Sequence, residues 1–280
     1  MKIVIEEVSE RRRGDCAVAL GVENDGRLAR EKEFYDELVL EGSSARRLLD
    51  RFSDGFYEKG KRGRLWRSFW ETADLNGAVV LDYGCGRGGF SQMLAGLGAS
   101  VYGIDISPQL IGNARAYSSS EGGNGSSGSV QFVISDAHQT PFPDNFFDYV
   151  LGNGALHHLN LDKAFAEILR ILKPGGKARF MEPMYNHPLL WSLRRLTPQI
   201  HTADEKPLCW AEIEKPKILF RVYSHEEHFL FSVCAAPAHL LGKSFALFVI
   251  DKIDRADQFM MKIVPRLRRF AWYTVLEMEK

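Results

Sequence analysis

The 280-residue sequence predicts an α/β fold, a doubly wound and mostly parallel sheet of seven strands. Three observations carry that expectation. The stretch VVLDYGCGRGGF, Val79 to Phe90, reads as a buried strand, a glycine-rich turn and the start of a helix. A second strand, SVYGID, ends in Asp105, 23 residues after Asp82, where a doubly wound sheet places its ribose-binding carboxylate. Beyond it, strands and helices alternate at the spacing of a parallel sheet covered on both faces.

The elements follow in order. Residues 1 to about 30 read as a solvated flank. Helical apolar stripes then run through Phe34, Tyr35, Leu38 and Val39, through Phe52, Phe56 and Tyr57, and through Leu65, Trp66, Phe69 and Trp70. After the glycine turn, Phe90, Met93, Leu94 and Leu97 share one helix face, and Gly98 stands where that helix should end. Ser107-Pro108 reads as N-cap and first-turn proline of the next helix, which fades near Ser118. SSSEGGNGSSGS, Ser118 to Ser129, is a Gly/Ser-rich loop expected to be flexible and outside the chemistry. Strands are expected at Val130 to Ile134, Phe146 to Leu151 and Lys177 to Glu182, with a helix at Leu161 to Leu172 and a turn at Pro174-Gly175-Gly176.

After Pro183 a helix is expected at Pro188 to Leu196, a polar loop from Thr197 to Pro207 and a helix within Trp210 to Val222. Glu226 to Val233 reads as a sixth strand and Trp272 to Met278 as a seventh. Between them lie one or two inserted helices, with Leu247, Ile250, Ile253, Phe259 and Ile263 as inward positions. Phe229 to Ile250 is long enough to span a bilayer, but Pro237, His239 and Lys243 interrupt it. A buried strand followed by a core-facing helix is expected instead, with no stable membrane insertion. The chain is expected to divide at about residues 75 and 183.

DYGCGRG resembles the D-x-G-x-G-x-G signature of class I S-adenosylmethionine-dependent methyltransferases, and four further segments follow that family in order. They are YGIDIS at Tyr102 to Ser107, SDAHQTPFPDNFFDYV at Ser135 to Val150, GALHHL at Gly154 to Leu159, and ILRILKPGGKARFMEP at Ile168 to Pro183. The resemblance implies a Rossmann-like sheet with an antiparallel last strand, N-terminal helices closing over the site, and S-adenosylmethionine as donor with S-adenosylhomocysteine as product. It implies an N-terminal flank with lid helices (1–75), a cofactor-binding core (76–183) and an acceptor-site segment that completes the same sheet (184–280). It puts Asp82, Gly84, Cys85, Gly86, Gly88 and Asn153 near the methionyl part. It also puts Asp105 on the ribose, Ile106 on the adenine face, and Asp136 with Ala137 at the adenine amine.

The acceptor is less constrained. His157 and His158 follow the fourth strand, at the edge where such sheets bind ligands. His157 is the expected general base, with His158 bracing the following helix or touching the acceptor. Tyr35, Tyr185 and His187 are further acceptor-side candidates. A formal net charge of zero argues against a polyanionic substrate. The four scattered cysteines give no metal or disulfide framework, and the N-terminus lacks a secretory apolar core, so a cytoplasmic protein is expected. The reading is therefore methyl transfer to a small organic acceptor, a hydroxyl on a natural product, sugar or quinone-like molecule. The rivals are an RNA or tRNA methyltransferase and a non-catalytic cofactor-binding protein of the same fold. A homodimer is compatible with either.

Overall fold

The computed structural model describes residues 73–120, 128–196 and 206–280, together with Phe69 and the single positions Gly26, Arg30 and Glu33. The segment expected to form lid helices, Tyr35, most of the Gly/Ser loop and residues 197–205 therefore lie outside the described residues. One sheet organises the rest. Its strands are β1 (Val79–Tyr83), β2 (Ser100–Asp105), β3 (Ser129–Ile134), β4 (Phe147–Asn153), β5 (Leu172–Pro183), β6 (Val222–His228) and β7 (Tyr273–Glu279), in the order β3-β2-β1-β4-β5-β7-β6. The first five pair in parallel, and β7 runs antiparallel to both of its neighbours, β5 and β6.

Alternation along β1 builds the two faces. Val80 packs with Leu94 and Ala95 of α1 (Gly89–Gly96), whereas Leu81 and Tyr83 pack with Phe165 and Ile168 of α3 (Leu161–Ile171). A parallel strand buried on both sides has no polar face, which is why this run is so apolar. Between them in sequence lies α2 (Pro108–Ser120), and the Ser107 hydroxyl accepts the Leu110 N–H as its cap. Asn160 caps α3 in the same way through the Lys163 N–H. On the α3 side, Phe180 lies fully buried with its ring edge-on to Tyr83, centroids 5.6 Å apart.

The observed elements shift several boundaries. β5 begins at Leu172, because Phe147 pairs with Leu172 and Tyr149 with Lys177, so Lys173 to Gly176 bulge outward where the turn was expected. β4 continues to Asn153, and β6 starts and ends several residues before its expected place. The expected helix after residue 210 is a single turn, α5 (Trp210–Ile213), followed by a 3-10 turn, Lys215–Ile218. β6 reads VYSHEEH, and its polar first half hides the early start, because His225 is paired with acids on both sides of its ring. His225 Nδ1 lies 2.5 Å from Glu227 Oε1 and its Nε2 lies 3.2 Å from Glu214. The adjacent Glu227 carboxylate holds the His225 pKa above its ordinary value.

Two apolar faces are also revised. In α1 the buried positions are Ser91, Leu94 and Ala95, while Met93 and Leu97 are exposed. Ser91 is inward because its hydroxyl reaches the buried Asp82. The insertion after β6 is one helix, α6 (Lys243–Ile263), preceded by a 3-10 segment, Ser232–Leu241. Ile250 is inward as expected, but Phe259 and Ile263 face outward. The helix α4 (Pro188–Leu196) follows β5.

Phe180→Ala should destabilise the fold by ~3–5 kcal/mol, the usual loss for truncating a fully buried phenylalanine. Urea unfolding of the purified variant measures it. A loss under about 1 kcal/mol would mean that Phe180 is not a core residue.

Candidate functional site

The carboxyl ends of β1, β2, β3 and β4 converge on one cleft. Its wall takes Gly84 and Gly86 from the turn after β1, Asp105 and Ile106 from the end of β2, and Ser135, Asp136 and Ala137 from the end of β3. Gly154, Ala155, His158 and Leu159 come from the segment after β4, with Tyr83, Ile104 and Leu110 behind them. Six residues expected at a cofactor site thus share one surface.

The glycine turn is built by backbone necessity. Gly84 has φ of 78° and Gly86 of 52°, a region L side chains rarely adopt. A Cβ on Gly84 would approach Ala155 Cβ to 2.9 Å, so the turn and the segment after β4 could not close against each other. The N–H groups of Gly84 and Cys85 donate to the Ile104 carbonyl, which ties the turn to β2. Cys85 points under the turn into a small cluster with Ile111, Ala114 and Phe132, away from the cleft. Gly88 starts α1 and also lies below the cleft.

Asp105 holds the turn as well as facing the cleft. Its Oδ2 accepts the Gly86 N–H at 3.0 Å, and its Oδ1 accepts the Ser107 N–H at 2.9 Å. Each oxygen keeps a second lone pair. Burial raises its pKa, and the N–H donors and nearby His158 oppose that rise. Asp136 commits Oδ1 to His138, accepting from the backbone N–H and lying 2.8 Å from the ring Nδ1. His138 Nε2 accepts the Asn160 N–H, so Nδ1 carries the hydrogen toward Asp136. The Tyr83 hydroxyl donates to the Ala137 carbonyl and fixes that wall.

Asp82 does not reach the cleft. It is buried beneath the glycine turn, and its Oδ2 accepts the Ser91 hydroxyl at 2.5 Å. Burial raises its pKa to about 7, with the Ser91 hydrogen bond opposing and the Asp105 charge adding to the rise. Its place is under the ligand edge rather than beside it, because the glycines lift the backbone over it. Asn153, last in β4, pairs with Met181 and is likewise off the wall.

The paired histidines divide. His158 lines the cleft. His157 is buried behind it, with ring centroids 4.0 Å apart and its Nδ1 2.7 Å from Glu182 Oε2. Glu182, at the end of β5, also accepts the N–H groups of Ala155, Leu156 and His157. Tyr185 and His187 are off the wall as well. His187 is buried, its Nδ1 accepts the Leu190 N–H, and its Nε2–H donates to the Leu230 carbonyl. Burial lowers its pKa, which suits a neutral ring with both nitrogens engaged. Sequence reasoning missed the wall residues Tyr83, Ser135 and Leu159, whose residue types carry no chemical signal.

Residues 81–180 match the family model described as a methyltransferase domain. In sheet order and cleft position the core is similar to class I S-adenosylmethionine-dependent methyltransferase domains. A sterol 24-C-methyltransferase of Gibberella zeae is 40% identical over 102 residues, 36% of this chain and 26% of that protein. A 2-methyl-6-phytyl-1,4-hydroquinone methyltransferase of Synechocystis is also 40% identical over 102 residues, 36% of this chain and 30% of that protein. The chain thus spans less than a third of the length of either relative. Among solved structures, the phosphoethanolamine N-methyltransferase 2 of Haemonchus contortus, in complex with phosphomonomethylethanolamine and S-adenosylhomocysteine, is 20% identical with a TM-score of 0.57. That likeness covers 81% of this chain and 56% of that one, and it shows the fold.

The buried Asp82 makes stability depend on pH. An acid whose folded pKa is raised stabilises the fold fully below its unfolded value, and that contribution is lost as pH rises through the folded value. For Asp82 the window runs from 3.8 to about 7. Without added ligand, the wild type should lose up to ~4 kcal/mol across it from this group, and Asp82→Asn should lose none of that share. Urea unfolding at about pH 5 and about pH 8 tests this. Identical pH dependence for both proteins would show an ordinary carboxylate.

Proposed function

We propose that this chain is an S-adenosylmethionine-dependent methyltransferase acting on a small organic acceptor. The observation that carries the reading is the convergence of Gly84, Gly86, Asp105, Ile106, Asp136 and Ala137 on one cleft wall. The donor-site chemistry fits the residues present. In this reading the spare lone pairs of Asp105 accept the two ribose hydroxyls. Ile106 packs on the adenine face, and Asp136, with Oδ1 given to His138, offers Oδ2 to the adenine amine beside Ala137. The main chain at Gly84 and Gly86 runs along the methionyl part, and Asp82 braces the turn from below through Ser91. Cys85 and Gly88 shape the turn from beneath, and Asn153 closes the strand that precedes Gly154.

S-adenosylmethionine supplies an electrophilic sulfonium methyl when bound. The protein's part is to hold donor and acceptor in line and keep water out, which is worth up to ~10⁵ M or more in effective concentration. We infer an oxygen acceptor, for which a positioned base is worth typically ~10²–10⁴-fold. Cleft position favours His158 for that base over the expected His157, and the Glu182–His157 pair holds it in place. The relatives' printed names concern a sterol, a prenylated hydroquinone and a phosphorylated amine, all small molecules. They support the size class of acceptor. The chain's zero net charge also speaks for small acceptors rather than nucleic acid.

Asp105→Ala should weaken S-adenosylmethionine binding by roughly 1.5–3 kcal/mol, the scale of hydrogen bonds to a charged group. Isothermal calorimetry reads it directly, and unchanged affinity in a folded variant would remove the ribose assignment.

A second expectation concerns turnover, followed with methyl-labelled donor and a panel of sterol, quinol, amine and fatty-acid acceptors. His158→Ala should cut turnover at least about tenfold, most at low pH, with donor affinity within about threefold. His157→Ala should instead lower stability, because the buried Glu182 loses its imidazole donor. Full turnover by the His158 variant at every pH would show that no base acts from that position, and methylation of nucleic acid alone would overturn the acceptor class.

A further inference from the structure

Helix α6 is patterned inside out. On its inner side, Asp257 is fully buried and accepts the backbone N–H groups of Leu230, Phe231 and Ser232. Asp254 is buried beside it. On its outer side, Phe245, Phe248, Phe259 and Ile263 are 49%, 59%, 63% and 62% exposed. At about 100° per residue these four fall within one arc of roughly 60°, and Lys252, Arg255 and Lys262 fall in or beside it. All three cations are exposed, and Lys252 Nζ stands 5.4 Å from the centre of the Phe248 ring. The acid at the border of this arc is Asp251, which pairs with Arg255 at 3.1 Å.

We propose that this outer face of α6 docks the protein onto an anionic lipid surface. A helix that lies in the headgroup region inserts bulky apolar side chains and sets cations among the phosphates, the composition seen here. The same residues suit other occupants poorly. The centre of a protein–protein interface is depleted in lysine, whereas here the cations are interleaved with the phenylalanines. A second copy of the chain would bring three cations against three. Spanning is not at issue, since among the described residues no helix is long and apolar enough to cross a membrane.

The face is well placed for such a surface. Asp257 ties α6 to the turn after β6, and the Leu230 carbonyl of that turn takes the His187 N–H just beyond the end of β5. The turn that holds α6 therefore lies at the carboxyl edge of the sheet, the edge on which the cleft also opens, with β5 and β7 between them. The docking stands apart from the reaction and is tested without donor or acceptor.

The full chain is floated with vesicles of phosphatidylcholine alone and of phosphatidylcholine mixed with phosphatidylglycerol, at physiological salt. The proposal expects at least about tenfold stronger binding to the anionic vesicles. It also expects a loss of about tenfold or more in Phe248→Ser/Phe259→Ser and in Lys252→Glu/Lys262→Glu, both with wild-type circular dichroism and melting temperature. These positions are on the surface, so folding should survive. No binding to anionic vesicles, equal binding to both, or phenylalanine variants that bind like the wild type would each overturn it. Retention by an acidic polypeptide without vesicle binding would assign the face to a protein partner instead.

Discussion

The Glu182 carboxylate is the interaction on which the site depends. It is fully buried and would be costly alone, since removing an ion from water costs several kcal/mol. Four donors offset that cost, three consecutive backbone N–H groups and one imidazole N–H. The arrangement fixes the 3-10 turn after β4, and with it the ring at position 158 and the wall at Gly154 and Ala155. Asp105 does the same for the glycine turn, and Asp257 for the turn after β6. At the carboxyl edge of this sheet, loops gather around acids rather than around apolar plugs. That choice keeps the edge polar enough to accept a ligand, while the N–H bonds hold it rigid.

Much of this was legible in the residues. A run such as VVLDYG has one sensible structure, because only a strand buried on both faces is so apolar and only a tight turn needs so many glycines. The five motifs from Val79 to Pro183 sit where their order placed them. What stayed hidden was set by contacts distant in sequence. Ser91 looks like a polar helix position until Asp82 is seen beneath it. Met93 and Leu97 look like core residues because periodicity cannot say how wide the buried stripe is. The first half of β6, Val222 to His225, looks too polar for a strand until His225 meets Glu227 and Glu214.

The two histidines show the limit most sharply. Neighbours in sequence, they differ by one step of a 3-10 turn, and that step decides which ring meets the cleft and which meets Glu182. Local sequence holds no signal for this choice, because the deciding partner stands 25 residues away. His187 failed in the same way: its polar ring is taken up by Leu190 and by Leu230, 43 residues distant.

The order of strands has a consequence for how such a chain emerges from the ribosome. Among the described strands β7 is made last, yet it lies between β5 and β6. Until it arrives, β5 presents an open edge and β6 has no sheet partner among the described strands. Helix α6, with its outward phenylalanines, is also complete by then. The nascent protein thus passes through an interval in which an unpaired edge and an apolar helix are exposed together. Such intervals invite misassociation. Its yield in a cell should therefore answer to the supply of chaperones more than its finished stability suggests.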